Sequence, residues 1–117
     1  MSSTEAPTLP QETIVRPKAQ SRNKTKRQPP YAVILHNDNV NSFEFVIQVL
    51  QKVFHYDVQK AVSLMLQAHK TGRTIVWTGS LEVAELKADQ IRSCGPDPLM
   101  LHNGATPLGV SIEPLPG

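Results

Sequence analysis

Three polar side chains have the right chemistry to hold one small cation: Asn37, Asp38 and His69. An amide oxygen, a carboxylate and a neutral imidazole nitrogen are all hydrogen-bond acceptors. Three acceptors converging beside an apolar wall suit a primary ammonium, which offers three N–H donors. Phe43, Val46 and Met65 would supply that wall. Each residue also has a plainer use. Asn37-Asp38-Asn39 has the composition of a turn, in which such side chains bond nearby backbone. A histidine in the last turn of a helix is favoured by the negative end of the helix dipole, and Phe43 and Met65 sit at the spacing of ordinary core residues. The site exists only if the fold carries His69 to the Asn37-Asp38 turn.

Catalytic chemistry has less support. Cys94 is the single cysteine, so it forms no intramolecular disulfide and lacks CxxC spacing. It stands beside Gly95-Pro96 without the local signature of a thiol nucleophile. His36, His55, His69 and His102 form no i, i+4 pair and no HExxH, and the chain has no Gly-rich phosphate loop. Neither a metal, a cofactor nor a catalytic residue is expected, and the chain reads as a binding protein and not an enzyme.

The positioning elements follow from periodicity. Tyr31 to His36 is aromatic and β-branched, follows two prolines and ends at the Asn37-Asp38-Asn39 turn, which predicts a strand. Asn41 three residues before Glu44 has the spacing of a capping box. From there Phe43, Val46, Ile47, Leu50, Val53 and Phe54 recur at three and four, predicting a helix to about Phe54. Asp57 is placed to cap a second helix, with Val58, Ala61, Val62, Met65 and His69 on one face, Leu64 and Ala68 widening it, and Gly72 as its stop. Arg73 to Thr78 reads as a second strand with Val76 on one face and Ile75 and Trp77 on the other. Ser80 is placed to cap a third helix carrying Leu81, Ala84, Ala88 and Ile91, with Glu82 at its positive end. A loop from Cys94 to Ala105 has no assigned role, and Leu108 to Ile112 alternates as a third strand. The order βααβαβ implies an α/β (α+β) domain, a small three-stranded antiparallel sheet with three helices on one side.

A chain of 117 residues, 39% apolar, supports one such domain and not two. The formal charge of +2 is too near balance to indicate nucleic acid, but its distribution is uneven. Residues 1–30 hold Arg16, Lys18, Arg22, Lys24, Lys26 and Arg27 against Glu5 and Glu12, with five prolines and few aliphatics, so they are expected to be a disordered basic tail before a domain at 31–117. No apolar run reaches the roughly 18 residues of a membrane span, and no secretory signal is evident. A reducing, cytoplasmic setting is expected, with an organellar stroma as the lesser alternative.

The stretch Tyr31-Ala-Val-Ile-Leu-His-Asn-Asp-Asn-Val-Asn-Ser-Phe-Glu-Phe-Val46 resembles the opening of the ClpS adaptor family. The runs Val49 to Phe54, Ala61 to His69, Gly72-Arg73 and Glu82 to Lys87 continue in register without gaps, so the resemblance covers about residues 30 to 93, with Pro107 to Pro114 similar to the family's last strand. It implies an adaptor that binds the free N-terminal residue of a client, an N-degron of the Leu, Phe, Tyr or Trp type, and delivers it to a ClpA-type or ClpC-type Hsp100 ATPase working with ClpP. Asn37, Asp38 and His69 would then hold the client's amine, Phe43, Val46, Met65 and Ala68 its side chain, and Glu82 and Lys87 the chaperone. Asn39, Ser42 and Phe43 depart from the family's usual Asp, Pro and Met. Two other readings remain at this level: a chaperone-binding regulator with an inactive degron pocket, and a module that binds nucleic acid or an acidic surface through the basic tail.

Overall fold

The computed structural model of the chain describes residues 28–116. The basic tail expected at residues 1–30 lies outside the described residues except for its last three, and Pro30 is already part of the fold, its carbonyl accepting from Leu115 N at 2.8 Å.

The strand β1 spans Tyr31–His36, followed by α1 at Phe43–Phe54, α2 at Val58–Thr71, β2 at Arg73–Gly79, α3 at Leu81–Ser93, a 3-10 helix at Pro98–Asn103 and β3 at Val110–Pro114. The sheet order is β2-β1-β3 and both pairings are antiparallel. Helices α2 and α3 lie against the sheet, while α1 packs on α2 and α3. The expected α/β architecture is therefore present, with the 3-10 helix added inside what read as a loop.

Strand β1 is central and buried from Ala32 through Leu35. Val33 and Leu35 point into the helical layer, where Leu50, Ile91, Ala61, Ala84 and Val76 complete the core. By alternation Ala32 and Ile34 face the opposite side. Ile34 is nevertheless buried, because a bidentate ion pair from Arg73 on β2 to Glu113 on β3, at 3.1 and 3.0 Å, crosses diagonally over its register position. The pair holds the Glu113 carboxyl below its ordinary range, mainly through the Arg73 hydrogen bond.

The β1–β2 ladder contains a bulge. Val33 faces Trp77 and Ile34 faces Ile75, so Val76 is the extra residue. Its side chain is buried, and its carbonyl accepts from the Tyr56 hydroxyl at 2.6 Å. Tyr56 sits just before α2, so this bond pins the α1–α2 corner to the sheet.

Local signals explain most helix ends. Asp57 accepts from Lys60 N and Ser80 from Val83 N, as their sequence positions suggested. Gly72 ends α2 in the left-handed region at φ 95°, which glycine reaches without strain. Two boundaries differ from expectation. The N-cap of α1 is Ser42, which accepts from Phe45 N at 3.1 Å; Asn41 is drawn away by other partners, and no capping box with Glu44 forms. The last strand runs from Val110 to Pro114 and not from Leu108 to Ile112. Leu108 is buried in the core ahead of the ladder, and Gly109 O accepts from His36 N at 2.9 Å. Val58 is also displaced from the expected inner face of α2, which buries Ala61, Met65 and Ala68 instead.

Candidate functional site

The turn after β1 and the end of α2 meet because Asn37 N donates to the carbonyl of Gly72 at 2.9 Å. That bond continues the β1–β2 ladder, in which His36 faces Arg73, and so sets the Asn37-Asp38 turn beside the last turns of α2. The result is one cleft lined by Asn37, Asp38, Phe43, Val46, Met65, Ala68 and His69, all residues singled out from sequence, together with Leu35, His36, Asn41 and Leu108.

The polar rim is held in detail. Asp38 Oδ1 accepts from Val40 N at 2.9 Å and Asn41 N at 2.7 Å, while Oδ2 accepts from Asn41 Nδ2 at 2.9 Å. The carboxylate is thus the turn-former its sequence context suggested. A carboxylate has about four acceptor positions, so one remains for a ligand. Asn37 Nδ2 reaches only Asn39 Oδ1, at 3.5 Å, and among the described residues its own amide oxygen receives no donor. His36 Nε2 is engaged with Ser111 Oγ at 2.7 Å.

The apolar wall is narrow. The Phe43 ring meets the His69 ring edge-on, with centroids 5.0 Å apart and planes at 70°. The free volume of the cleft is only about 20 Å³, little more than one water needs. A volume of this size does not admit a bulky side chain without movement of the lining. Phe43 is 43% exposed, so its rotation breaks little packing.

Asn41 and Asp97 are the residues that sequence reasoning missed. Asn41 is buried and uses its whole amide: Nδ2 donates to Asp38 Oδ2 and to Thr106 O, and Oδ1 accepts from Asp97 N, each at 2.9 Å. Asp97 is 2% exposed and accepts from Ser42 N, Ser42 Oγ and Leu99 N at 3.1, 2.6 and 2.9 Å. The Ser42 hydroxyl bond holds its carboxyl below the ordinary aspartate range, against the opposing effect of burial. Asn41 has the spacing of a helix cap, and Asp97 lies in the loop that had no assigned role; no local signal connects the two.

The second surface singled out from sequence lies on α3. Glu82 is exposed in its first turn. Lys87 is half-buried, its Nζ donating to Val53 O at 2.9 Å and lying 5.7 Å from the Phe54 ring centroid. Val53 O is among the last carbonyls of α1, where a cation is favoured. Lys87 therefore stabilises the end of α1, with N–H donors left over. Val83 and Leu86 are exposed between these charges. Beside them a cavity of about 320 Å³ opens between α1 and α3, lined by Lys52, Val53, His55, Lys87, Gln90, Ser93 and Cys94. Cys94 and His55 share this cavity without a hydrogen bond between them; the thiol contacts Gln90 O at 3.4 Å. Among the described residues no cluster of three or more His, Cys, Asp or Glu is placed to hold a metal, and no helix is long and apolar enough to cross a membrane.

The molecule is thus a small α/β domain with a cleft of preset acceptors at one end and an exposed helix face elsewhere. Comparison with known proteins gives the particular kind. The family model described as "ATP-dependent Clp protease adaptor protein ClpS" matches residues 26–102. The adapter protein ClpS of Pectobacterium carotovorum is 49% identical over 72 residues, covering 60% of this chain and 68% of that one. The ClpS of Myxococcus xanthus is 35% identical over 106 residues, covering 91% and 94%. The solved structure of Agrobacterium tumefaciens ClpS2 bound to L-phenylalaninamide is similar with a TM-score of 0.66 and 30% identity, covering 76% of this chain and all of that one. The chain belongs to the ClpS family of Clp protease adaptor proteins.

Proposed function

We propose that the cleft binds the free N-terminal residue of client polypeptides and that the domain, without catalysis of its own, presents those clients to a Hsp100 ATPase of the ClpA or ClpC type in the cytoplasm. The observation that carries this reading is the convergence of Asn37, Asp38 and His69 at the rim of a cleft walled by Phe43, Val46, Met65 and Ala68. The α-ammonium donates one N–H each to Asn37 Oδ1, the remaining position on Asp38, and a His69 ring nitrogen. The first side chain replaces the Phe43 ring against Met65 and Ala68. The Agrobacterium relative's ligand, phenylalaninamide, has the same two parts, a free amine and a bulky apolar side chain.

Magnitudes support moderate affinity. Three charge-assisted bonds at about 1.5–3 kcal/mol each and one buried side chain at about 1.5–3 kcal/mol give about 6–12 kcal/mol gross. Association costs reduce this to about 8 kcal/mol at best, a Kd near 1 μM. Opening of the Phe43 gate costs most for the widest side chain, so Leu and Phe are accepted and Trp is the poorest client. Glu82, Lys87, Val83 and Leu86 form the surface offered to the ATPase.

Fluorescent peptides differing only in residue one, each with a free or acetylated N-terminus, test this. Binding of the free peptides and none of the acetylated ones is the expected result; equal affinity for both overturns it. The narrowness of the cleft favours one alternative, a regulator that binds the ATPase while its pocket stays closed. Absence of peptide binding with retained ATPase binding selects that alternative.

A further inference from the structure

We propose that Asn41, held from behind by Asp97, is a positioning residue that fixes the Asp38 carboxylate for recognition of the client's ammonium group, which makes the segment 97–106 part of the recognition apparatus. This rests on the reading of Asp38 as an amine acceptor.

A carboxylate bound on one oxygen only can still turn about its terminal torsion. Asp38 Oδ1 is fixed by two backbone N–H groups, but Oδ2 depends on the Asn41 amide alone. That amide is itself immobilised. Its second N–H goes to Thr106 O and its oxygen accepts from Asp97 N, so both ends of the segment 97–106 grip one buried side chain. Asp97 in turn clamps Ser42, the cap of α1 and the neighbour of Phe43. A neutral donor suits this task. A Lys or Arg in place of Asn41 would hold Oδ2 as well but would neutralise the charge the ammonium needs, whereas an amide orients the carboxylate and leaves its charge intact. Orientation established before binding is not lost as entropy on binding.

The experiment measures affinity for a fluorescent peptide beginning with free-amine Phe in four full-length proteins: the parent, Asp38→Ala, Asn41→Ala and the double variant, with thermal unfolding of each to confirm folding. Asn41→Ala is expected to weaken binding about tenfold in the parent and by less than about twofold once Asp38 is already Ala, because a residue acting through Asp38 has nothing left to act on. An equal cost in both backgrounds, or no cost, overturns the proposal. No effect of Asp38→Ala by itself would instead remove the amine-site reading on which it rests.

Asn41→Asp keeps the shape and the bond from Asp97 N but sets a second carboxylate against Asp38. Two carboxylates sharing a site cannot both ionise freely, so binding by this variant should be lost in acid at least about one pH unit higher than binding by the parent. The other titratable groups facing Asp38 are His36 from β1 and His69 from α2, with Asp97 behind Asn41; because a protonated His69 no longer accepts from the ammonium, both proteins are compared with His69→Gln, which keeps an acceptor there and removes its titration. A uniform loss at every pH, with no displacement of the acid limb, means that Asn41 is merely structural and overturns the proposal.

Discussion

The cleft at the end of β1 and the exposed face of α3 are built on opposite plans. In the cleft the polar groups are held in place before any ligand arrives: Asp38 accepts from three donors, and the buried Asn41 behind it bonds Asp38, Thr106 O and Asp97 N. On α3, Glu82 is exposed, Val83 and Leu86 are uncovered, and a cavity of about 320 Å³ lies alongside. A group as small as an ammonium gains affinity only from acceptors set in advance, since it has no area to offer. A protein partner brings area, and rigid prepayment of each contact matters less. The two regions thus suit the two roles proposed for them, a preset cleft for one terminal residue and an exposed face for a protein partner.

The largest expected effect breaks that contrast at its centre. Asp38→Ala should weaken peptide binding by more than about tenfold and also destabilise the fold by about 1–3 kcal/mol, because Val40 N, Asn41 N and Asn41 Nδ2 lose their acceptor. Titration with a labelled peptide and a denaturant melt read the two losses separately. Next, Lys87→Met should leave peptide affinity unchanged while weakening binding to the ATPase, with about 0.5–1.5 kcal/mol of stability lost through the bond to Val53 O. Loss of peptide binding in this variant would show that the two regions are coupled. Phe43→Met should raise the affinity of a Trp-initiated peptide relative to a Leu-initiated one by about 1 kcal/mol, since a flexible thioether yields where an aromatic ring cannot. An unchanged ratio would show that the ring contact with His69 is not a gate.

The smallest effect concerns acid. Asp97 has its carboxyl lowered by the Ser42 hydroxyl bond, so it contributes stability that is complete above the ordinary aspartate value of about 4 and is lost as pH falls through its lower folded value. Thermal midpoints of the parent and Asp97→Asn, followed downward from neutral pH, should therefore converge below about pH 4. Parallel curves would show that the charge of Asp97 does not contribute.

What was legible in sequence was local. Asp57, Ser80 and Gly72 announce helix ends through bonds spanning three or four residues, and Val46, Met65 and Ala68 announce a shared apolar surface through their spacing. The convergence of Asn37, Asp38 and His69 followed from the element order, because a turn after β1 and the end of α2 must meet if β2 returns beside β1. The choice of Ser42 over Asn41 as the cap was not legible. Both are good caps, and the decision is made by Asp97, far along the chain. The bulge at Val76 and the displacement of β3 by two residues have the same origin: ladder register is set by partners, and Leu108 carries a core residue's hydrophobicity without belonging to the ladder.

The place of β1 in the sheet gives the domain a mechanical polarity. The strand that leads out to the N-terminal segment is the central one, paired with β2 on one side and β3 on the other along its length, whereas the C-terminal strand is an edge. Traction entering at Tyr31 runs lengthwise along β1 and loads both ladders in shear at once, so many bonds must yield together. Traction entering at Leu115 meets a single ladder, supplemented by the bond to Pro30 O, the Arg73–Glu113 pair and the bond from Arg92 to Val110 O. Force applied at the start of β1 is therefore opposed by two ladders acting together, whereas force applied at the end of β3 is opposed by one.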